Sequence, residues 1–428
     1  MNRSLKGLAA GLALVLAAPF VGGCAATTSP ASGAVRVIAQ AGGPGEALKA
    51  AATSYNKTHS GAQVQVDLFD YDAVRERTLL GFSSGKATYD AIGFDYAWMK
   101  QYIDSGYLLS LNDMAKSQAA LIKMSDYVPA YVDWATVKGQ QYALPWFGAV
   151  YMLYYRTDLL KQAGVQVPKT WDEYAAAAKT LQEKTGITGT TVIGKRDDPL
   201  LDEYWSIAWS YGAQITAGGT SSTMNSPQSV SALALWNKVL PYAPKDALAA
   251  DWPAAAASFS EGKTAMMINF SDTSDALIAP ASAIKNKVGF AALPSGPTGK
   301  STPNLGGWGL GVSAKSTNQK AAFDFIAWAT SPEQQQAGLA NGGSANRTSV
   351  LRDPVNQAKY PYFTAALENY NNSIFFPVTV HWVDWEAAMA PPLSSALSRQ
   401  ISLTEGVKQS SDRLASEMSK EGRTSTSP

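Results

Sequence analysis

Residues 35–94 read strand, helix, strand, helix, strand, and that order constrains the fold more than any other feature of the chain. Val35-Arg36-Val37-Ile38-Ala39 is a β-branched run, and a Gly-rich turn leads from it into helical spacing from Glu46 to about Lys57. Residues 63–69 alternate β-branched side chains, 72–80 return to helical spacing, and 89–94 form a third apolar run. Parallel neighbours need a crossover between them, so the pattern predicts an α/β fold with a parallel-rich sheet, right-handed connections and flanking helices. In such sheets ligands sit beyond the carboxyl ends of the strands, which points to the loops 40–45, 70–72 and 95–98.

The alternation resumes downstream. Tyr142-Ala143-Leu144-Pro145-Trp146-Phe147 leads into an apolar aromatic run, 151–155. Thr170-Trp171-Asp172-Glu173 is a capping box, with Pro168 holding the entry extended. Ser226-Pro227 opens another helix. A helix near 254–260 turns at Glu261-Gly262-Lys263 into a strand over 264–268, and the strand 288–293 ends at Pro294-Ser295-Gly296-Pro297. Gly306-Gly307-Trp308-Gly309-Leu310-Gly311-Val312 follows, then helices from 318 and from Ser331-Pro332-Glu333. No repeat of 20–50 residues is present, which excludes solenoids and propellers. A chain of 428 residues is long enough for two lobes.

Composition narrows the function. Lys+Arg 35 against Asp+Glu 34 leaves no basic excess for a phosphate backbone, so nucleic acid is not expected as a partner. Twelve Trp and 19 Tyr beside 2 His and 1 Cys favour flat stacking surfaces over metal ligation or imidazole catalysis, and neither metal nor cofactor is expected. At the N-terminus, Arg3 and Lys6 precede an uncharged run over 7–23 broken by Pro19, which reads as a secretory signal, 1–23. Cys24 is the only cysteine and cannot form an internal disulfide. Val21-Gly22-Gly23-Cys24 resembles a bacterial lipobox with Val in place of the more usual Leu. That resemblance implies lipid modification at Cys24, a tether over 24–33, and contact with the membrane through the anchor alone, on the outer face of a monoderm cell. Stable attachment needs more than one acyl chain.

Enzyme motifs fail in context. Gly81-Phe82-Ser83-Ser84-Gly85 matches a nucleophile elbow, which requires a strand before and a helix after; here a helix precedes and a strand follows. Gly296-Pro297-Thr298-Gly299-Lys300-Ser301 has Pro294 at the first glycine position of a P-loop and opens no helix. Asp70 and Asp72 start like a calcium loop that ends at Val74 and Arg75. A glycoside hydrolase using two carboxylates is the alternative reading, since any Asp or Glu pair would serve it.

Three stretches, in order, are similar to the carbohydrate-class extracellular solute-binding proteins of ABC importers. The first runs from Gly139-Gln140-Gln141-Tyr142-Ala143-Leu144-Pro145 through Tyr154-Tyr155-Arg156-Thr157-Asp158-Leu159-Leu160 to Pro168-Lys169-Thr170-Trp171-Asp172-Glu173. The second is Phe259-Ser260-Glu261-Gly262-Lys263-Thr264-Ala265-Met266-Met267, and the third runs from Leu293-Pro294-Ser295-Gly296-Pro297 through Gly306-Gly307-Trp308-Gly309 to Ser331-Pro332-Glu333-Gln334. The resemblance implies a periplasmic-binding-protein-like fold of two discontinuous lobes, 34–147 with 295–331 and 148–294 with 332–420, followed by a disordered tail, 421–428. Crossovers are expected near 147–152, 293–295 and 330–332, with a ligand cleft between the lobes. It also implies a monomer without catalytic residues that closes on a sugar, oligosaccharide or sugar alcohol and meets the importer's permease subunits. Ile193-Gly194-Lys195-Arg196 and the Gly-Gly-Trp-Gly stretch favour binders of sugars and sugar alcohols.

A sugar presents apolar C–H faces and a hydroxyl rim, which call for aromatic planes and for Asp, Asn, Arg or Lys. Trp308 leads the candidates, set between glycines near where the family places a cleft aromatic; a core Trp under a loop is the plainer reading. Asp95 and Tyr96 follow the third strand, with a helix cap as the alternative for Asp95. Asp70 and Tyr71 end the second strand. Trp146 and Phe147 stand where the chain passes between lobes. Asp272 follows the strand 264–268 at a family contact position where several members carry an aromatic instead. Arg347 resembles an arginine reaching hydroxyls from a Gly-rich loop, against the alternative of a surface salt bridge. Trp205, Trp382 and Asp384 complete the set, although the i,i+4 spacing of Trp205 with Trp209 is a core signature.

Overall fold

The computed structural model describes residues 33–424 apart from Ala62, Lys86 and Thr220. The expected signal, the lipidation position Cys24, the tether up to residue 32 and residues 425–428 lie outside the described residues. Seven strands carry the fold: β1 (Val35–Gln40), β2 (Val64–Phe69), β3 (Ala91–Asp95), β4 (Leu144–Arg156), β5 (Met266–Phe270), β6 (Val288–Ala291) and β7 (Leu305–Val312). They form one curled sheet in the order β6-β4-β7-β3-β1-β2, with β5 also paired to β4.

The parallel pairing expected from residues 35–94 is present, with β1 parallel to β2 and to β3. β2 buries Val64 and Val66 and exposes Gln65, the alternation of a half-covered edge. The strands that pass between lobes join antiparallel: β7 to β3 and β4, and β4 to β5 and β6. β4 is buried along all but one of its 13 residues because both lobes use it. Residues 144–150 pair with β7, whereas Tyr151–Tyr155 pair with β5 and Leu153–Arg156 with β6.

The main helices are α1 (Gly43–Thr58), α2 (Tyr71–Ser83), α3 (Trp171–Thr185), α4 (Asp198–Ala208), α5 (Pro227–Val239), α6 (Trp252–Ser260), α7 (Gln319–Ala329), α8 (Phe363–Tyr370), α9 (Trp382–Leu397) and α10 (Leu403–Thr424). α1 packs on β2 and α7, and α7 on β7, β1 and β3, closing the first lobe. α4 packs on α5 and α9, α5 also on α3, and α9 on α10; α6 lies on β5 and α8 on β4. The capping box of α3 is formed: Thr170 Oγ1 accepts from the Glu173 N–H at 3.2 Å, and Glu173 Oε2 accepts from the Thr170 N–H at 3.2 Å.

Contacts move two expected boundaries and shorten the expected tail. The first lobe does not resume at residue 295, because the Pro294–Pro297 turn docks on α3. Ser295 N–H donates to the Lys169 carbonyl at 2.8 Å, Thr298 Oγ1 to the Ser210 carbonyl at 2.8 Å, and Asn304 N–H to Ser206 Oγ at 3.0 Å. The chain reaches the first lobe's strands only at Leu305. Nor does it leave that lobe at residues 330–332: the helix Pro332–Gly338 still packs on α1, and a Cβ on Gly342 would lie 2.9 Å from Gly43 Cα. Beyond it Ser344 Oγ donates to the Gly148 carbonyl, and Arg347 and Ser349 still bond to residues 122–126 of the first lobe. α10 extends to Thr424, so the first four residues of the expected tail 421–428 are helical.

Candidate functional site

Three neighbouring strands place three candidates in one row. Trp308 of β7 stands opposite Asp95 at the end of β3 and opposite Phe147 of β4, and residues directly opposed in a sheet share a face. The Trp308 ring is only 3% exposed. It lies nearly parallel to Phe147 (centroids 6.2 Å apart, planes at 16°) and meets Trp98 and Tyr71 edge-on at 5.1 and 5.8 Å. The glycines beside it admit other rings rather than freeing this one. A Cβ on Gly306 would meet the Phe270 ring at 2.9 Å, and one on Gly307, whose φ is +153°, would meet Tyr131 at 2.7 Å.

In front of this row is a cavity of about 320 Å³. The first lobe lines it with Gln40, Tyr71, Asp95, Tyr96, Phe147 and Trp308. The second lobe faces them with Asp198 and Asp202 of α4, Trp252 of α6, Asn269 and Phe270 of β5, and Asp272 beyond it. The Trp252 indole N–H is held by the Tyr151 hydroxyl at 3.0 Å, and the Asn269 side-chain N–H by the Trp252 carbonyl at 3.0 Å, which fixes the aromatic wall of that lobe.

The acids dominate the electrostatics. Burial pushes the Asp95 carboxyl well above its usual range, against the pull of the Ala97 N–H that Oδ1 accepts at 2.9 Å. Burial raises Asp202 likewise, reinforced by the charges of Asp198 and Asp95 and eased by the Asn304 side-chain amide. Asp198 and Glu386 of α9 are both raised, by burial first, and each acts on the other's ionisation. Asp272 is raised to about 6 by the protein packed around it, although its side chain opens to the cleft and the water there eases the effect. Glu203, on the far side of α4, is pushed up to about 8 by burial despite bonds from the Ile193 N–H (2.9 Å) and Trp236 Nε1 (2.7 Å). Among the described residues no group of three His, Cys, Asp or Glu is placed to hold a metal, and no helix is long and apolar enough to cross a membrane.

The cavity thus brings together Trp308, Asp95, Tyr96, Tyr71, Phe147 and Asp272. Asp70 is instead exposed and caps α2, accepting the Ala73 N–H at 2.9 Å. Trp146 falls at a bulge in the pairing of β4 with β7, meets the Trp308 ring edge-on at 6.5 Å and lies outside the cavity lining, beside Gln335 and α1. Arg347 is fully buried far from the cleft wall: it donates to the carbonyls of Thr330 (2.9 Å), Ile122 (2.8 Å) and Lys123 (3.2 Å) and lies 3.6 Å over the Tyr127 ring. Trp205 is core, packed on Tyr204 and Trp209. Trp382 is core, stacked on Phe376 at 4.4 Å. Asp384 is exposed beside His381 at 3.8 Å. The sequence reading missed Asp198, Asp202, Trp252 and Asn269. The signal for the first two was present: Asp198 and Asp202 stand at i,i+4 on a helix whose other residues are almost all apolar, so both carboxyls share one face of a buried element.

Comparisons with known proteins agree with this geometry. The bacterial extracellular solute-binding protein family matches residues 39–336. A probable ABC transporter-binding protein of Deinococcus radiodurans is 32% identical over 281 residues, 63% of this chain and 66% of that protein. The mannitol-binding protein of Pseudomonas aeruginosa is 24% identical over 326 residues, 74% of each chain. Among solved structures, maltose-bound MalE3 of T. maritima superposes with a TM-score of 0.81 at 25% identity, over 89% of this chain and 98% of that one. An ABC transporter solute-binding protein of Agrobacterium radiobacter K84 in complex with ribitol superposes at 0.80 with 25% identity, over 90% and 98%.

Proposed function

The protein belongs to the bacterial extracellular solute-binding protein family, and on that premise we propose that it captures a small sugar, oligosaccharide or sugar alcohol between its lobes and delivers it to the membrane subunits of an ABC importer. The observation that carries this reading is the cleft itself. Aromatic planes from both lobes, Trp308, Tyr71 and Phe147 facing Trp252 and Phe270, meet carboxyls from both lobes around about 320 Å³. Flat apolar faces and a rim of hydroxyls are what such a wall complements. Relatives named for mannitol and lactose, and structures holding maltose and ribitol, support the substrate class.

The reading includes binding without turnover, a monomer, and retention at the outer face of the cell membrane by lipid on Cys24, the chain's only cysteine. Closure of the two lobes about the three passages between them would give the importer a liganded shape to recognise.

A thermal-shift screen of residues 25–428 against monosaccharides, disaccharides, sugar alcohols, amino acids and peptides, with the products analysed afterwards, tests it. A ligand at 100 times its dissociation constant adds about 2.7 kcal/mol of stability. A shift with a sugar that is recovered intact supports the receptor. Breakdown of the sugar moves a carbohydrate-active enzyme to first place, and a response to amino acids or peptides alone rejects the substrate class.

A further inference from the structure

The cleft wall is chemically one-sided. It carries four carboxyls, those of Asp95, Asp198, Asp202 and Asp272, with Glu386 bonded behind Asp198, and none of its described lining residues is a lysine, arginine or histidine. We propose that the ligand is a carbohydrate bearing a protonated amine, an amino sugar or amino sugar alcohol, whose ammonium is received by Asp95, Asp198 and Asp202 beside the rings of Trp308 and Tyr71. The proposal rests on the carbohydrate-receptor reading and narrows its substrate class.

Two observations beyond the count of acids carry it. Asp95 is only 7% exposed and lines the cavity, and one of its oxygens accepts the Ala97 N–H while the other has no hydrogen-bond partner among the described residues. Asp198, also in the wall, has its Oδ1 buried with no hydrogen-bond partner among the described residues, and a buried carboxylate oxygen without a donor is costly unless a ligand satisfies it. The second observation is the balance of donors and acceptors. The Trp252 indole N–H and one Asn269 side-chain N–H are already given to protein acceptors; Gln40, Tyr71, Tyr96 and Trp308 carry neutral donors, and against the four carboxyls the lining sets no cationic donor. An ammonium offers three donors, no acceptor and a positive charge, the complement of those carboxyls, whereas a hydroxyl brings no charge to them.

The electrostatics point the same way. The Asp198 charge raises the carboxyls of Asp95 and Asp202, and the Asp95 charge raises that of Asp202, so an entering cation relieves repulsion within this group. Trp308 and Tyr71 stand edge to face at 5.8 Å beside Asp95, and aromatic faces add attraction for a cation that they do not offer a neutral hydroxyl.

Calorimetric titration of the full chain with matched pairs tests the proposal: glucosamine against glucose, 1-amino-1-deoxysorbitol against sorbitol, and the glucosamine disaccharide against cellobiose. The amine member of at least one pair is expected to bind about tenfold more tightly, the difference between a charge-assisted and a neutral hydrogen bond. D95N keeps the acceptor for the Ala97 N–H and removes the charge, so it is expected to bring the ratio close to one; D202N serves the same purpose should D95N fail to fold. Equal or tighter binding of the neutral members overturns the proposal and leaves the sugar receptor standing. A preference untouched by both variants overturns its assignment to this wall, and no binding of any sugar overturns it together with the receptor reading.

Discussion

The Asn304 side-chain amide donates to the Asp202 carboxylate, and through that bond a wall residue of the cleft is tied to the passage between lobes. Asn304 directly precedes β7, its carbonyl accepts the Tyr151 N–H at 3.1 Å, and Tyr151 is where β4 exchanges β7 for β5 as its partner. β4 and the approach to β7 therefore meet at one residue, and that residue touches an acid of the cavity wall.

N304A leaves the buried Asp202 carboxyl without its amide donor, since the remaining contact comes from Trp252. Loss of a donor to a buried charged group costs about 1–3 kcal/mol. The variant is expected to unfold at correspondingly lower urea concentration and to bind ligand more weakly. Unchanged stability and affinity would show that the bond carries neither.

The unliganded protein is expected to lose stability as the pH is raised. Asp95, Asp198, Asp202 and Glu386 have folded pKa values above their ordinary 3.8 and 4.5, and Glu203 stands at about 8. A raised carboxyl keeps its proton longer in the folded state, so its contribution is intact below the unfolded value and is lost as pH climbs to the folded one. For Glu203 that window runs from about 4.5 to about 8. Asp158, Asp251 and Glu333 are lowered and act with the opposite sign, at more acid pH. The midpoint of thermal unfolding should therefore fall between about pH 5 and about pH 8, and D202N, which keeps the acceptor for Asn304, should flatten the fall and raise the midpoint near neutrality. A wild-type midpoint that climbs over this range rejects the argument.

W308A removes a ring that is both core and cavity wall. Truncating a buried Trp costs about 3–5 kcal/mol, so affinity and stability fall together. W308F separates the two: it retains most of the packing on Phe147 and Trp98 and is expected to fold with a modest loss while binding ligand more weakly, because the smaller ring leaves the cavity wider. Titration of both variants beside their denaturation curves distinguishes the contributions.

What the sequence made legible was whatever local chemistry settles. The β1-to-β3 alternation, the α3 capping box and the ends of β2 and β3 follow from residues near one another in the chain, and Asp95, Tyr71 and Tyr96 were found because strand ends in parallel sheets face the ligand. The displaced passages were not legible: whether Pro294–Pro297 crosses or docks depends on α3, more than 100 residues away. The acids of α4 were overlooked although their spacing was visible, because a largely apolar helix with three carboxyls declares its burial only when its neighbours are known. Trp146 and Phe147 show the limit in the smallest form, since composition puts both in the cleft, whereas only Phe147 lines the cavity and Trp146 falls at a bulge that nothing local declares.

Arg347 offers the sharpest check on the difference between a plausible and an actual contact. Its guanidinium donates to three main-chain carbonyls, those of Thr330, Ile122 and Lys123, covers the Tyr127 ring and approaches Asp126 at 3.5 Å, with no exposed surface. Those carbonyls belong to segments about 200 residues apart in sequence, so the side chain joins the end of the short helix Ala119–Ile122 to the end of α7. R347M fills a similar volume and leaves the buried Ile122 carbonyl without a donor, at about 1–3 kcal/mol where water cannot enter, and it strips the Thr330 and Lys123 carbonyls to the single donors of the Tyr127 hydroxyl and the Asp126 N–H. A large loss of stability is expected, with ligand affinity of the folded fraction within about twofold of wild type, since no atom of Arg347 lines the cavity. R347K should restore little, because one ammonium cannot reproduce the planar fork across separated carbonyls. A variant that folds normally and fails to bind sugar would return Arg347 to the ligand and require a cleft wider than the one bounded by Trp308 and Asp202.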